Sequence, residues 1–293
     1  MLDVHRMVLL REVHLRGSIT AAARALSYTH SAVSQQLSLL QKEAGVALLE
    51  KAGRGVRLTS AARELVHHAD AILTILEHAE SDLAVSATQV RGTLRLGAFT
   101  TISRSTVPAV IGALRSRHPA LDVRFRQVEP EEGLLLLSSR GIDVLVADSY
   151  PGVSGTVPGD LHANPLTGDP VRAYLPAGAE GSTVAGLKAL RWVLEPAGSE
   201  AHAWVLQVCR ERGFEPDVAY ESVDLLFHLR MVQAGLAAAF LPDLLVREEK
   251  ARLEPAPLLD TGQHRRIWLV CRSGAERRPA VIACREAFLH QLR

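Results

Sequence analysis

Hydrophobic residues near the N-terminus recur at helical spacing and predict a bundle of three helices. The first helix covers residues 2–15 and has a broad apolar side. The second begins at Ser18, a good N-cap, and ends near Leu26 after a run of strongly helix-forming alanines. Thr29 caps the third helix. The apolar stripe of the third helix is formed by Val33, Leu37 and Leu40.

The opposite face of the third helix carries short hydroxyl and amide side chains with almost no charge. Its members are His30, Ser31, Ser34, Gln35, Ser38 and Gln41. A helix face that merely meets water is normally rich in charged residues, whereas glutamine and serine can hydrogen-bond base edges in a DNA major groove. The helix pair therefore indicates a helix-turn-helix, with a polar-faced helix pair in a small bundle as the alternative.

A short hairpin with positive charge follows the third helix. After the apolar pair Leu48 and Leu49, residues 50–59 contain Gly53 and Gly55, which allow a tight turn. Cations on such a projecting wing would contact phosphates or enter the minor groove. The predicted DNA contacts of helices and wing are Ser18, Thr29, His30, Ser31, Ser34, Gln35, Gln36, Lys51, Arg54 and Arg57.

The clearest periodicity in the chain runs from residue 60 to about residue 88. Apolar residues alternate there at spacings of four and three without glycine or proline, which is the pattern of a heptad seam. The seam consists of Leu65, Ala69, Ile72, Leu76, Ala79 and Leu83. A long helix with one narrow seam favours an intermolecular coiled coil over a piece of globular core. We therefore expect a homodimer that binds a partly palindromic site on double-stranded DNA.

Beyond a hinge at residues 89–92, short strands alternate with helices. The predicted strands are 93–98, 121–127, 143–147, 171–175, 192–194, 217–221, 237–241 and 264–272. The predicted helices are 105–118, 131–140, 184–190, 200–212, 223–234 and 278–292. This alternation predicts a mostly parallel, open α/β sheet. Crossovers near residues 162–168 and 258–264 would divide it into two lobes.

Charge is unevenly distributed, although the whole chain carries only +1. Residues 1–58 contain eight Lys and Arg against four acidic residues, a net of +4, and residues 59–90 contain one against five, a net of −4. Positive charge thus lies where DNA phosphates would be met. Cys209, Cys271 and Cys284 have no C-x-x-C spacing, which favours buried free thiols over a disulfide or metal site.

The segment SITAAARALSYTHSAVSQQLSLLQKEAGVALLEKAGRGVRLTSAA resembles the DNA-binding domain of the LysR-type transcriptional regulator family. That family's pattern has a Ser-Phe-Thr-Ala-Ala start, a Ser-Gln-Pro-Ala-Val-Ser recognition turn and a Gly-Arg-x-Val-x-Leu-Thr wing. In this chain His30 and Ser31 replace the commoner Gln and Pro, Gln41 replaces a frequent Glu, and Leu49 replaces Phe. These departures concern base preference rather than the fold.

The resemblance continues to GLAAAFLP at residues 235–242, which is similar to the Gly-Leu-Gly-Val-Ala-Leu-Leu-Pro segment of the family. It implies an α/β protein with an all-α winged helix-turn-helix, a coiled-coil linker helix and a two-lobed α/β effector domain resembling periplasmic binding proteins. It also implies that dimers often pair into tetramers, and RNA polymerase is a candidate partner. The expected domains are 1–59, 60–91 and 92–293, with lobe I at 92–163 and 264–293 and lobe II at 164–263.

An effector of such a domain should lie between the lobes, beyond the carboxyl ends of the strands. The predicted contacts are Thr100, Thr101, Ile102, Ser103, Val128, Glu129, Pro196, Ala197, Gly198 and Ser199. Two alternatives stay open. A hydroxyl within residues 100–103 could instead cap the following helix, and Glu129, which would repel a carboxylate, could be solvated or paired with an arginine.

The expected function is sequence-specific control of transcription, modulated by an effector. The sequence contains no G-x-S-x-G, P-loop or G-x-G-x-x-G motif, so catalysis finds little support and no cofactor is expected. An effector-independent regulator, a small-molecule-binding protein and an enzyme on an α/β fold remain alternatives. Because the sequence shows neither a secretory signal nor an apolar run of about 18 residues, we expect a cytoplasmic protein without a membrane partner.

Overall fold

The computed structural model describes residues 1–52, 55–85, 89–153, 158–179, 181 and 183–292. The helices are α1 (Val4–Arg16), α2 (Ile19–Ala25), α3 (His30–Ala44), α4 (Ser60–Val85), α5 (Thr100–Ser105), α6 (Val107–Arg117), α7 (Pro130–Ser138), α8 (Val184–Ala189), α9 (Glu200–Glu211), α10 (Leu225–Gln233), α11 (Asp243–Glu248) and α12 (Pro279–Gln291). The strands are β1 (Leu49–Ala52), β2 (Gly55–Leu58), β3 (Gly92–Ala98), β4 (Leu121–Gln127), β5 (Val144–Ser149), β6 (Leu161–Tyr174), β7 (Arg191–Leu194), β8 (Asp217–Glu221), β9 (Ala239–Pro242) and β10 (His264–Arg272).

The N-terminal domain is a winged helix-turn-helix in which side chains cap each helix. Asp3, Ser18 and Thr29 accept hydrogen bonds from backbone N–H groups three residues later, which satisfies donors that helix ends leave free. The two caps expected from the sequence, Ser18 and Thr29, are thereby confirmed. Gly45 ends α3 with φ of 69°, a left-handed conformation that glycine adopts without steric cost.

Helix α4 divides into two halves with different surroundings. Leu65 and Ala69 are buried in the core of the winged helix-turn-helix, and Ile72 packs against that core. Further along, Leu76 is 46% exposed and Leu83 is 76% exposed. The heptad seam is therefore not one continuous surface. An apolar period has the same form whether it faces the chain's own core or a partner, so the sequence could not separate the two halves.

The C-terminal domain is a mixed sheet with helices on both faces. Six strands run in the order β4-β3-β5-β10-β6-β9, and β7 pairs with β8 beside β9. Strand β3 is parallel to β4 and β5, whereas β10 is antiparallel to β5 and β6, and β9 is antiparallel to β6. The sheet is thus less parallel than predicted. The reason is that β6 and β10 carry the chain from one lobe to the other in opposite directions.

Among the segments that differ from the sequence prediction are residues 162–168 and residues 100–105. The predicted crossover at 162–168 is part of the long strand β6, which pairs with β10 in lobe I and with β9 in lobe II. A bulge between Ile267 and Trp268 adjusts the register where Pro165 lies in the strand. Helix α5 occupies residues expected to form a loop. Its Thr-Thr-Ile-Ser sequence has low helix propensity, so tertiary packing decides its conformation.

Ion pairs join the N-terminal helices to the C-terminal domain, in what we call the interdomain seam. Its members are Arg11, Asp70, Glu77, Arg140, Asp160, Arg272 and Arg278. Arg11 of α1 is buried, pairs with Asp70, lies 3.0 Å from Asp160 Oδ2, and donates from Nη1 to the Ser138 carbonyl oxygen at 2.7 Å. The C-terminal domain is therefore held against α1 as well as α4.

Glu77 is the centre of the other half of the seam and is only 1% exposed. Its Oε2 lies 3.1 Å from both Arg272 Nε and Arg140 Nη2, and its Oε1 lies 2.9 Å from Arg278 Nη2. One buried carboxylate thus faces three guanidinium groups. In the described part of the chain, no helix is both long and apolar enough to cross a membrane.

Candidate functional site

The exposed face of α3 presents the uncharged polar side chains expected from the sequence. His30, Ser31, Gln35 and Ser38 are exposed, and Ser34 is half-buried between them. Because Ser38 Oγ donates to the Ser34 carbonyl oxygen at 2.9 Å, the Ser38 hydroxyl is partly committed to its own helix. The face is polar, nearly uncharged and free to meet a groove of DNA.

Three predicted DNA contacts have structural partners inside the domain. The Ser18 and Thr29 hydroxyl oxygens cap α2 and α3, accepting at 3.1 and 3.2 Å. Gln36 is half-buried, and its Oε1 accepts a hydrogen bond of 2.9 Å from Arg6 Nε of α1. These hydrogen bonds fix the starts of α2 and α3 and tie α3 to α1, and DNA contact by the three side chains stays a prediction.

The wing is a hairpin of β1 and β2, with Glu50 opposite Arg57 and Ala52 opposite Gly55. The turn residues Gly53 and Arg54 lie outside the described residues, so the predicted Arg54 contact has no structural account. Lys51 is exposed, and Arg57 is exposed but paired with Glu50 at 2.8 Å. Such an exposed pair contributes little and can open to let Arg57 reach a phosphate.

Exposed Arg24 and Tyr28 lie near the start of α3 and were not among the expected contacts. The Tyr28 hydroxyl is 3.5 Å from His5 Nε2. Their type and position, at the end of α2 and in the turn, suit contacts with a DNA backbone. The sequence signal for Tyr28 is an aromatic residue in the turn between the two helices.

A second candidate site is the cleft between the lobes, with a volume of about 880 Å³. Lobe I contributes the start of α7 and the end of β5, and lobe II contributes residues 195–201, which lead into α9. Arg266, Trp268 and Val270 of β10 complete the lining. The volume suits a small organic molecule, and the position at the carboxyl ends of β5 and β7 agrees with the general rule for such sheets.

Half of the predicted effector contacts line this cleft. These are Glu129, Pro196, Ala197, Gly198 and Ser199. Thr100 is adjacent, since its Oγ1 donates to Glu129 Oε1 at 2.8 Å. Thr101, Ile102, Ser103 and Val128 are buried and do not line the cleft. The first three belong to α5, whose helical turn directs those side chains into the lobe I core, and Ser103 Oγ donates to the carbonyl oxygens of Ala98 and Phe99.

Several lining residues were missed because most of them lie within helices and strands of both lobes, where the rule for strand ends does not apply. They include Glu131, Leu134, Asp148, Tyr150, Glu195, Glu200, Arg266 and Trp268. The available signal was an acidic residue at the end of a strand, as at Glu195, or in the first turn of a helix, as at Glu131 and Glu200. Trp268 Nε1 donates to Ser149 Oγ at 2.9 Å, which holds the indole between the two strands that form the cleft floor.

Behind the cleft, a buried arginine joins the lobes. Arg265 is 1% exposed and donates to Asp169 Oδ2 from Nη2 at 2.8 Å and to Asp148 Oδ2 from Nη1 at 3.0 Å. Asp169 Oδ1 in turn accepts from the Leu244 N–H at the start of α11 in lobe II. Burial raises the pKa of Asp148, and the Arg265 charge offsets part of that rise.

The three cysteines are buried free thiols in the cores of the lobes. Burial raises the pKa of each thiol to about 12. Because the thiolate is the nucleophilic form, these side chains are poorly suited to react with an oxidant. Their burial and raised pKa values do not favour a redox role.

A winged helix-turn-helix, a linker helix with exposed apolar residues and a two-lobed domain with a cleft define a ligand-responsive DNA-binding regulator. Residues 4–63 match the bacterial regulatory helix-turn-helix protein, lysR family, and residues 87–293 match the LysR substrate binding domain. The chain therefore belongs to the LysR family of transcriptional regulators. Like other members, it is a DNA-binding regulator with a domain for a small effector.

Relatives are distant but extend over most of the chain. The transcriptional dual regulator GltC of Bacillus subtilis is 25% identical over 256 residues, which cover 86% of this chain and 84% of that protein. A probable hydrogen peroxide-inducible genes activator of Streptomyces viridosporus is 28% identical, covering 87% and 83%. A full-length OxyR variant of Pseudomonas aeruginosa has a TM-score of 0.64 at 18% identity, covering 99% of this chain and 98% of that one, and supports the fold.

Proposed function

We propose that the chain controls transcription as a homodimer, or a dimer of dimers, that binds a partly palindromic promoter site. The observation that carries this proposal is the exposed, uncharged polar face of α3 on a domain of net positive charge. His30, Ser31, Ser34 and Gln35 would contact bases, and Lys51 and Arg57 would contact phosphates. The protein would work in the cytoplasm beside the DNA, with RNA polymerase as a further partner.

Footprinting and gel-shift assays on DNA upstream of the gene test the base contacts. The wild type should protect an inverted repeat. Ser34→Ala with Gln35→Ala should lose preference for that site, because each good base contact is worth about 1–3 kcal/mol of discrimination. Lys51→Ala is the matched contrast, since it should weaken binding to all sequences and reduce the salt slope by about one. A wild type without preference over random DNA would contradict the proposal.

Dimerisation is assigned to the second half of α4. Ile75 is 67% exposed, and it forms an apolar stripe with Leu76, Ala79 and Leu83. Hydrophobic residues at this spacing are normally covered, and a second copy of α4 would cover them. Leu83→Asp should therefore lower the mass measured by sedimentation at micromolar protein. His68→Asp, on an exposed position of the first half, is the control. An unchanged mass for Leu83→Asp would remove this assignment.

Two elements would carry an effector signal from the cleft to the seam. Helix α7 lines the cleft at Glu131 and Leu134 and meets Arg11 through the Ser138 carbonyl oxygen at its other end. Strand β10 lines the cleft at Trp268 and reaches Glu77 through Arg272. Because each element is rigid, closing of the lobes would shift both ends together and reposition the DNA-binding domains.

The relatives named for hydrogen peroxide offer a different signal, but the thiols here do not favour it. Each cysteine is buried with its pKa raised, so an oxidant would have to unfold a lobe to reach it. A small molecule in the cleft is the signal that the geometry supports.

A further inference from the structure

The charges on the cleft walls are mostly negative. Five carboxyl side chains line it, from Glu129, Glu131, Asp148, Glu195 and Glu200. Among the described lining residues, Arg266 is the one arginine or lysine, and its side chain is exposed. Arg265 behind the floor is already paired with Asp148 and Asp169. A ligand entering this cleft therefore meets a surplus of negative charge.

The places where an anion would normally bind hold the chain's own carboxylates. The Thr100 N–H at the start of α5 donates to Glu129 Oε1 at 3.3 Å, and the Thr100 hydroxyl donates to the same oxygen. Glu131 lies in the first turn of α7 and Glu200 in the first turn of α9. Because each carboxylate neutralises the partial positive charge at a helix N-terminus, little attraction remains there for a carboxylate or phosphate ligand.

Glu195 differs from these residues in that its carboxyl group has no hydrogen-bond or ion-pair partner among the residues that the structure describes. It follows β7 and is half-buried, and no described residue donates a hydrogen bond to its carboxyl group or forms an ion pair with it. Burial raises the pKa of Glu195 to about 8, with neighbouring Asp148, Glu129 and Glu131 adding to the rise and Arg265 opposing it. An unpaired carboxyl group in such surroundings is stabilised by a bound cation.

Apolar and aromatic groups complete the cleft wall. Trp268 and Tyr150 lie on the side formed by β5 and β10, and Leu134 and Val223 lie among the other lining residues. Aromatic rings attract organic cations as well as apolar groups. A ligand with a charged end and a hydrocarbon part would satisfy both kinds of wall.

We propose that the effector of this regulator is an organic cation, a primary ammonium or guanidinium compound whose charged group binds the Glu195 carboxylate. Glu129 and Glu131 add to the attraction, and the hydrocarbon part packs near Trp268. This inference rests on the proposed function only in treating the cleft as the effector site. The chemistry of the walls is independent of DNA binding.

The pH dependence of binding has a definite sign. Without ligand, Glu195 is largely protonated near neutral pH, and a cation binds its ionised form more tightly. With a Glu195 pKa of about 8, affinity should therefore rise about 25-fold between about pH 6.5 and pH 8.5, with release of a proton on binding. The other charged and titratable groups that face this region are Asp148, Glu129, Glu131, Glu200, Tyr150, the paired Arg265, the exposed Arg266, and His202 beside the Glu195 carbonyl oxygen. An anionic ligand that accepts a hydrogen bond from the protonated Glu195 carboxyl would show the opposite trend, with affinity falling as pH rises.

Calorimetry and thermal shift on the full chain test the class of ligand. Putrescine, agmatine, arginine and benzylamine are compared with neutral and anionic analogues of similar size, such as butanediol, succinate and benzoate. At least one cation should raise the melting temperature and bind at least tenfold more tightly than its analogues. Glu195→Gln should weaken that binding at least tenfold and abolish the pH trend, whereas Glu286→Gln, at an exposed position of α12, should change neither.

The proposal is overturned if an anionic analogue binds more tightly than its cation, if no cation exceeds its neutral analogue, or if Glu195→Gln binds like the wild type. Gel shifts separate this outcome from failure of the proposed function. Protection of an inverted repeat without any cation binding would retain the regulator and reject the ligand class. Cation binding that leaves the DNA complex unchanged would retain the cleft chemistry and reject its effector role.

Discussion

Replacing Glu77 by glutamine tests the interdomain seam, because it removes one charge and keeps the shape. Arg272, Arg140 and Arg278 would lose their shared counter-ion in a place where Glu77 is 1% exposed. Breaking a buried ion pair by removing one partner costs about 3–5 kcal/mol. Arg272 keeps Asp143 at 3.1 Å and two backbone carbonyl oxygens. We therefore expect the free energy of unfolding to fall by about 3 kcal/mol, the lower end of that range.

Glu80→Gln is the matched control on the same helix. Glu80 is 56% exposed and pairs with Arg278, so its loss should cost less than about 1 kcal/mol. Urea unfolding is followed by tryptophan fluorescence, which reports on the C-terminal domain because Trp192, Trp204 and Trp268 all lie there. If the domains separate before they unfold, the weakened contact between them appears instead as a larger radius of gyration in X-ray scattering. Glu77→Gln behaving like Glu80→Gln in both measurements would refute the reasoning.

Three further outcomes follow from the same structure. Because the pKa of Glu195 is raised from 4.5 to about 8, the folded state holds that proton more tightly than the unfolded chain, so stability should fall as pH rises from about 5 to about 8 and then level off. The contribution lost is up to about 5 kcal/mol in the wild type and absent in Glu195→Gln. Melting temperature against pH measures it, with Glu286→Gln as the control. The three thiols should stay unmodified by Ellman's reagent until the protein is unfolded with urea, and native labelling of Cys209, Cys271 or Cys284 would contradict their burial. Gly133→Ala in α7 would place a Cβ 2.5 Å from Leu145 Cδ1 and should lower the free energy of unfolding by about 1–3 kcal/mol. Gly112→Ala in α6 meets nothing within 4 Å and should raise it by about 0.5–1 kcal/mol. Equal unfolding midpoints for the two variants would contradict the tight packing of α7 against Leu145.

The structure also explains why the sequence located the cleft but not its chemistry. Residues 196–199 were found because they follow a strand, and the end of a strand is a local property. Glu195 lies one residue earlier, and its pKa is raised first by burial and then by Asp148, Glu129 and Glu131, which are distant in the chain. A cluster of charges assembled from two lobes has no signature at any one of its positions.

The sequence by itself determined α2 and the recognition helix α3, their caps at Ser18 and Thr29, and the alternation of strands and helices after residue 92. These features depend on periodicity and on hydrogen bonds within a few residues, which neighbouring side chains control. Tertiary structure decided which part of the α4 stripe is buried, that Thr101, Ile102 and Ser103 form a buried helical turn, and that Glu77 faces three arginines. Each of those outcomes depends on which distant element packs against the segment, because burial and charge pairing are properties of the assembled surface.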